Sequence, residues 1–92
     1  MNKYIIERTI PGAGELSAEQ LMGISQTSCS VLAQLGPQIK WLESYVTDNK
    51  VYCVYLAQNE QIIREHASQG GFPVDSIAQI SSVISPATAK SS

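Results

Sequence analysis

Apolar and polar residues alternate over residues 3–10 (KYIIERTI), with Tyr4, Ile6, Arg8 and Ile10 on one face and Lys3, Ile5, Glu7 and Thr9 on the other. That period of two, in a run rich in β-formers, predicts a first strand. Pro11-Gly12-Ala13-Gly14 ends it and reads as a flexible connector. A dinucleotide-binding loop would need a third glycine, and position 17 is Ser. Ser17 and Gln20 then form a capping box, and the period lengthens to that of a helix from Ala18 to Leu35. One stripe of that helix holds Leu21, Ile24, Ser28, Leu32 and Leu35. A neighbouring stripe holds Met22, Gln26, Cys29 and Ala33, with Cys29 as a small half-buried packing residue. Gly36-Pro37 stops the helix.

Residues 39–57 (IKWLESYVTDNKVYCVYLA) return to strand chemistry on both sides of Thr47-Asp48-Asn49-Lys50, a turn signal. The register of this hairpin decides what shares a face. With Asp48-Asn49 as a two-residue turn, Ser44 stands opposite Cys53. With a three-residue loop and a left-handed Asn49, Glu43 stands opposite Cys53. The second arrangement is expected, because it separates an aliphatic face (Leu42, Val46, Val54, Leu56) from an aromatic and reactive one (Trp41, Glu43, Tyr45, Cys53, Tyr55). Asn59 caps a second helix from Glu60 to Gln69, which turns Ile62, Ile63, His66 and Ala67 inward and ends at Gly70-Gly71. After the connector Phe72–Asp75, residues 77–84 read as a last strand.

The order β-α-β-β-α-β is that of the α+β, ferredoxin-like split βαβ unit: a four-stranded antiparallel sheet with two helices on one face. Residues 1–86 form this single domain, and 87–92 a polar tail expected to be mobile. Strands one to three carry apolar residues on both faces, and two helices cover only one. The bare face is expected to meet the sheet of a second copy, making a homodimer of the dimeric α+β-barrel type.

Bulk composition narrows the function classes. A chain of 92 residues, 43% hydrophobic and 15% charged, is one globular domain. Such a chain buries roughly 60–65% of its unfolded surface, a modest core that dimerisation would reinforce. A net charge of −2 leaves no electrostatic footprint for nucleic acid. The hairpin tyrosines have only Lys40 and Lys50 beside them. No apolar run approaches the ~20 residues of a membrane span, and Glu7 and Arg8 interrupt any leader-like stretch. A cytoplasmic protein with reduced Cys29 and Cys53 is therefore expected.

Three side chains stand out chemically. His66 is the single histidine, on an apolar helix face. Cys53 lies within an apolar strand, and Glu43 lies between Trp41 and Tyr45 in a strand expected to be buried. Each has a structural reading: a hydrogen-bonded core histidine, a small core thiol, and a carboxylate paired with Arg8 or a tyrosine hydroxyl. Together, carboxylate, thiolate and imidazole make a donor set suited to nickel or zinc. A Cys–His nucleophile pair has no accompanying oxyanion motif.

The run WLESYVTDNKVYCVYLAQNEQIIREHASQGGFPVDSI resembles a family of small bacterial nickel-binding proteins of unknown function. The most specific parts are the Glu43 strand, Cys53 in VYCVY, His66 in REHA, and the Gly-x-Pro-x-Asp element of Gly71, Pro73 and Asp75. The resemblance implies a ferredoxin-like fold, a dimer and a bound nickel ion, with Glu43, Cys53 and His66 as candidate ligands. Members often carry a second histidine just before that proline. Here the position is Phe72, one potential ligand fewer. The expected function is metal binding without catalysis. The alternative is a small dimeric enzyme or ligand-binding domain, with Glu43 and His66 as acid/base partners on a pocket between sheet and helices.

Overall fold

The computed structural model describes residues 1–90. Strands β1 (Asn2–Thr9), β2 (Ile39–Val46), β3 (Lys50–Ala57) and β4 (Ser76–Gln79) and helices α1 (Ala18–Leu35) and α2 (Glu60–Gly70) follow the expected order. The sheet is antiparallel throughout, with spatial order β2-β3-β1-β4. The ferredoxin-like arrangement is therefore present. The capping box forms as read, with Gln20 N–H donating to Ser17 Oγ and Ser17 N–H donating to Gln20 Oε1. Asn59 Oδ1 accepts from Ile62 N–H at 3.0 Å, and Gly71 closes α2 in the left-handed conformation.

The core lies between the sheet and the helices. Tyr4, Ile6 and Arg8 of β1, Cys53, Tyr55 and Ala57 of β3, and Ile39 of β2 are buried on that side, beneath Ile62, Ile63 and His66 of α2 and Ser28 and Val31 of α1. The other side carries Ile5, Val54 and Leu56, partly buried, beside exposed Tyr45.

The hairpin register differs from the expected one. Thr47 and Lys50 close a two-residue turn: Thr47 N–H donates to Lys50 O at 2.8 Å, and Lys50 N–H donates to Thr47 Oγ1 at 3.1 Å. No described residue other than glycine has a positive φ, so Asn49 does not take the left-handed conformation a three-residue loop would ask of it. The turn is instead held from outside. Asn49 O accepts from Ile10 N–H at 2.8 Å, Asn49 Oδ1 from Gly12 N–H at 3.0 Å, and Asp48 O from Gly14 N–H at 3.0 Å. The β1–α1 connector is thus docked on the hairpin rather than a loose link. Its glycines have specific reasons. Gly12 has φ +77°, and a Cβ at Gly14 would sit 3.0 Å from Asp48 Cα.

A β-bulge at Leu42 completes the correction. Trp41 stands opposite Tyr55, yet Glu43 stands opposite Val54 and Ser44 opposite Cys53. The extra residue lets Trp41 stay on the helix side while Glu43 and Tyr45 turn to the open side.

Two other expectations change. The last strand stops at Gln79. Ile80 N–H still bonds Lys3 O at 2.8 Å, and the register sets Ser81 against Asn2, the first residue of β1, so residues beyond Ser81 have no strand to pair with. Val83 and Ile84 are accordingly exposed. Cys29 is also exposed rather than half-buried. Of the tail, residues up to 90 lie in the short 3-10 helix Pro86–Lys90, and Ser91 and Ser92 fall outside the described residues.

Candidate functional site

Alternation along β1 puts Arg8 on the same face as Tyr4 and Ile6, so its guanidinium enters the core, and the residue is only 2% exposed. Nε donates to Cys53 Sγ at 3.4 Å, Nη1 to Pro73 O at 2.7 Å and Nη2 to Tyr55 Oη at 3.4 Å. The Phe72 ring covers it, with its centroid 5.5 Å from Cζ. Among the described residues the ion pairs are Lys50–Glu7 and Arg64–Glu60, so no carboxylate balances this charge.

His66 lies one layer above, fully buried on α2. Its Nε2 is 3.1 Å from Ser28 Oγ of α1. Its ring meets Tyr55 edge-on at 5.4 Å and Phe72 at 5.6 Å. Burial, and then the charge of Arg8, push its pKa below the ordinary value, so the ring is neutral near pH 7. Burial also pushes the Tyr55 phenol up to about 12, aided by Cys53 and opposed by Arg8. His66 Nδ1 is the one buried side-chain nitrogen or oxygen among the described residues with no hydrogen-bond partner.

Cys53 and His66 therefore share the helix side, joined through Arg8 and Tyr55. Glu43 does not join them. It is exposed on the open side and accepts a hydrogen bond from Tyr45 Oη. Ser44 takes its place across from Cys53 and accepts from Trp41 Nε1 at 2.9 Å.

Beside the thiol is a cavity of about 90 Å³ between α1 and the sheet. Leu21, Ile24, Trp41 and Val51 give it apolar walls, and Arg8, Cys53 and Ser44 are among the residues that bring polar atoms to the lining. Neither Glu43 nor His66 lines it, so these two residues do not meet on one pocket wall as acid and base.

Sequence reasoning did not single out Arg8, Ser28 or Phe72 as site residues. The available signal was the position of Arg8, a charge on a strand face otherwise made of Tyr4, Ile6 and Ile10.

The family profile described as "Nickel responsive protein SCO4226-like" matches residues 4–80. The chain belongs to this family. Among solved structures it is similar to SCO4226 from Streptomyces coelicolor A3(2), with a TM-score of 0.75 and 12% sequence identity, over 89% of this chain and 99% of that one. At that identity the likeness establishes the fold. No curated protein matches the sequence.

The family's nickel response gives a test for the donors present. A thiol and a neutral imidazole with an unpartnered nitrogen are donor types that suit Ni²⁺. Their number falls short of a preformed centre, because no three His, Cys, Asp or Glu side chains converge among the described residues. The Arg8 guanidinium, already bonded to Cys53 Sγ, also opposes a second cation there.

Proposed function

We propose that this chain is a small cytoplasmic homodimer that binds a nickel ion and performs no catalysis of its own. Cys53 and His66 are the ligands this chain supplies from its helix side, and water completes the shell. Glu43 is left out of this set because it faces away from the other two.

The observation that carries the reading is the buried, unpartnered Nδ1 of His66. A buried polar atom without a partner costs about 1–3 kcal/mol, and a metal bond removes that cost. The neutral ring is already in the form that ligates. A hydrogen bond at the second ring nitrogen orients a ligating histidine, and Ser28 Oγ stands in that position at Nε2. The family's description as nickel responsive points the same way.

The open face supports the homodimer. Ile5 is centred between Val54 of β3 and Ala78 of β4, with Leu56 and Tyr45 nearby, and α1 and α2 pack on the opposite side. A second copy laid sheet to sheet would bury these residues. Unpaired Cys29 and Cys53 agree with a reducing compartment.

Calorimetric titration of tag-free protein with Ni²⁺ tests the site. Cys53→Ala and His66→Ala should each weaken binding about tenfold or more, and Glu43→Gln should leave it unchanged. Wild-type affinity in both the Cys53 and His66 variants would overturn the proposal.

A further inference from the structure

Arg8 raises a question that nickel does not answer. A permanently charged guanidinium in the core of a 92-residue domain is costly unless an opposite charge meets it. Its partners are a thiol, a carbonyl and a phenol, none of them a carboxylate. A guanidinium has five N–H donors. Three are engaged here, which leaves one on each terminal nitrogen. Two N–H groups on adjacent nitrogens match the two oxygens of a carboxylate. The residue also lines the apolar cavity between α1 and the sheet.

We propose that this cavity is a receptor for a short-chain monocarboxylate, with its carboxylate on Arg8 and its hydrocarbon body among Leu21, Trp41 and Val51. The walls select an apolar body rather than a bare inorganic anion. The volume sets the size. Sites for drug-sized ligands span about 300–1,000 Å³, and a cavity of about 150 Å³ takes benzene. About 90 Å³ therefore takes a body of a few carbons. Ser44 and Ser25 on the lining supply hydroxyls without adding charge. Ile24, 40% exposed, stands at the mouth. The anion completes the electrostatics of the core, and binding stabilises the fold by mass action.

The test uses tag-free, full-length protein in the presence of a chelator, so that its outcome is separate from that of the nickel proposal. Butyrate is titrated calorimetrically beside butyramide, a neutral near-isostere, and inorganic phosphate. Butyrate should bind and raise the melting temperature, with butyramide and phosphate each weaker by about tenfold or more. Arg8→Met should abolish butyrate binding, and near-ultraviolet circular dichroism establishes that the variant is folded. Ile24→Trp, which narrows the mouth without touching Arg8, should weaken butyrate as well. Failure of every carboxylate from acetate to hexanoate to bind the wild type would overturn the proposal. Equal affinity for butyramide or phosphate would do the same. So would a thiolate absorbance at neutral pH that vanishes in Arg8→Met, because it would assign the guanidinium to Cys53.

Discussion

Ser44 stands directly across the β2–β3 ladder from Cys53, and Glu43, one residue earlier, stands across from Val54. A single position therefore decides which side chains meet. The carboxylate goes to the open face with Tyr45, and a hydroxyl goes to the core beside Trp41. The chemistry next to Cys53 becomes that of a buried arginine rather than an acidic metal site.

The register rests on the docked connector, and two glycines separate that effect from general helix or loop effects. Gly14→Ala places a Cβ 3.0 Å from Asp48 Cα, where backbone must move. It should cost about 1–3 kcal/mol in urea unfolding. Gly23→Ala, within α1, meets nothing within 4 Å. It should stabilise by about 0.5–1 kcal/mol. Equal effects of the two would show that the connector does not hold the turn.

Stability should fall with acid through His66. Its folded pKa lies below the ordinary 6.5, so between the two values the unfolded chain binds the extra proton. This contribution is complete above about pH 6.5 and is lost as pH drops below it toward the folded value. His66→Gln should flatten that part of a melting-temperature profile measured from pH 7.5 down to 5. An unchanged slope in the variant would show that other groups carry it.

The open face should hold two copies together. Ile5→Glu puts a carboxylate at its centre, opposite Val54 and Ala78 and away from the helices. Sedimentation should show a dimer for wild type and a folded monomer for the variant. A monomeric wild type would remove the homodimer from the proposal.

Much of the fold was legible because its signals are local. Alternation in β1, the Ser17–Gln20 box, the Asn59 cap and the Gly36 and Gly71 stops each act within a few residues. The extent of β4 was not, because its end is set by where β1 begins rather than by its own apolar residues. The site was only half legible. The inward faces of Cys53 and His66 follow from period. The face of Glu43 depends on a turn held by Gly12 and Gly14 and on a bulge at Leu42, which are tertiary choices. Arg8 was visible as a misplaced charge, and its meaning needed the cavity beside it.

The most direct test of the nickel assignment is X-ray absorption at the nickel edge on tag-free, nickel-loaded protein. Sulfur and imidazole scattering should both be present in the first shell. Sulfur should disappear in Cys53→Ser, imidazole in His66→Gln, and neither should change in Glu43→Gln. A shell of oxygen and nitrogen that is the same in wild type, Cys53→Ser and His66→Gln would contradict the account.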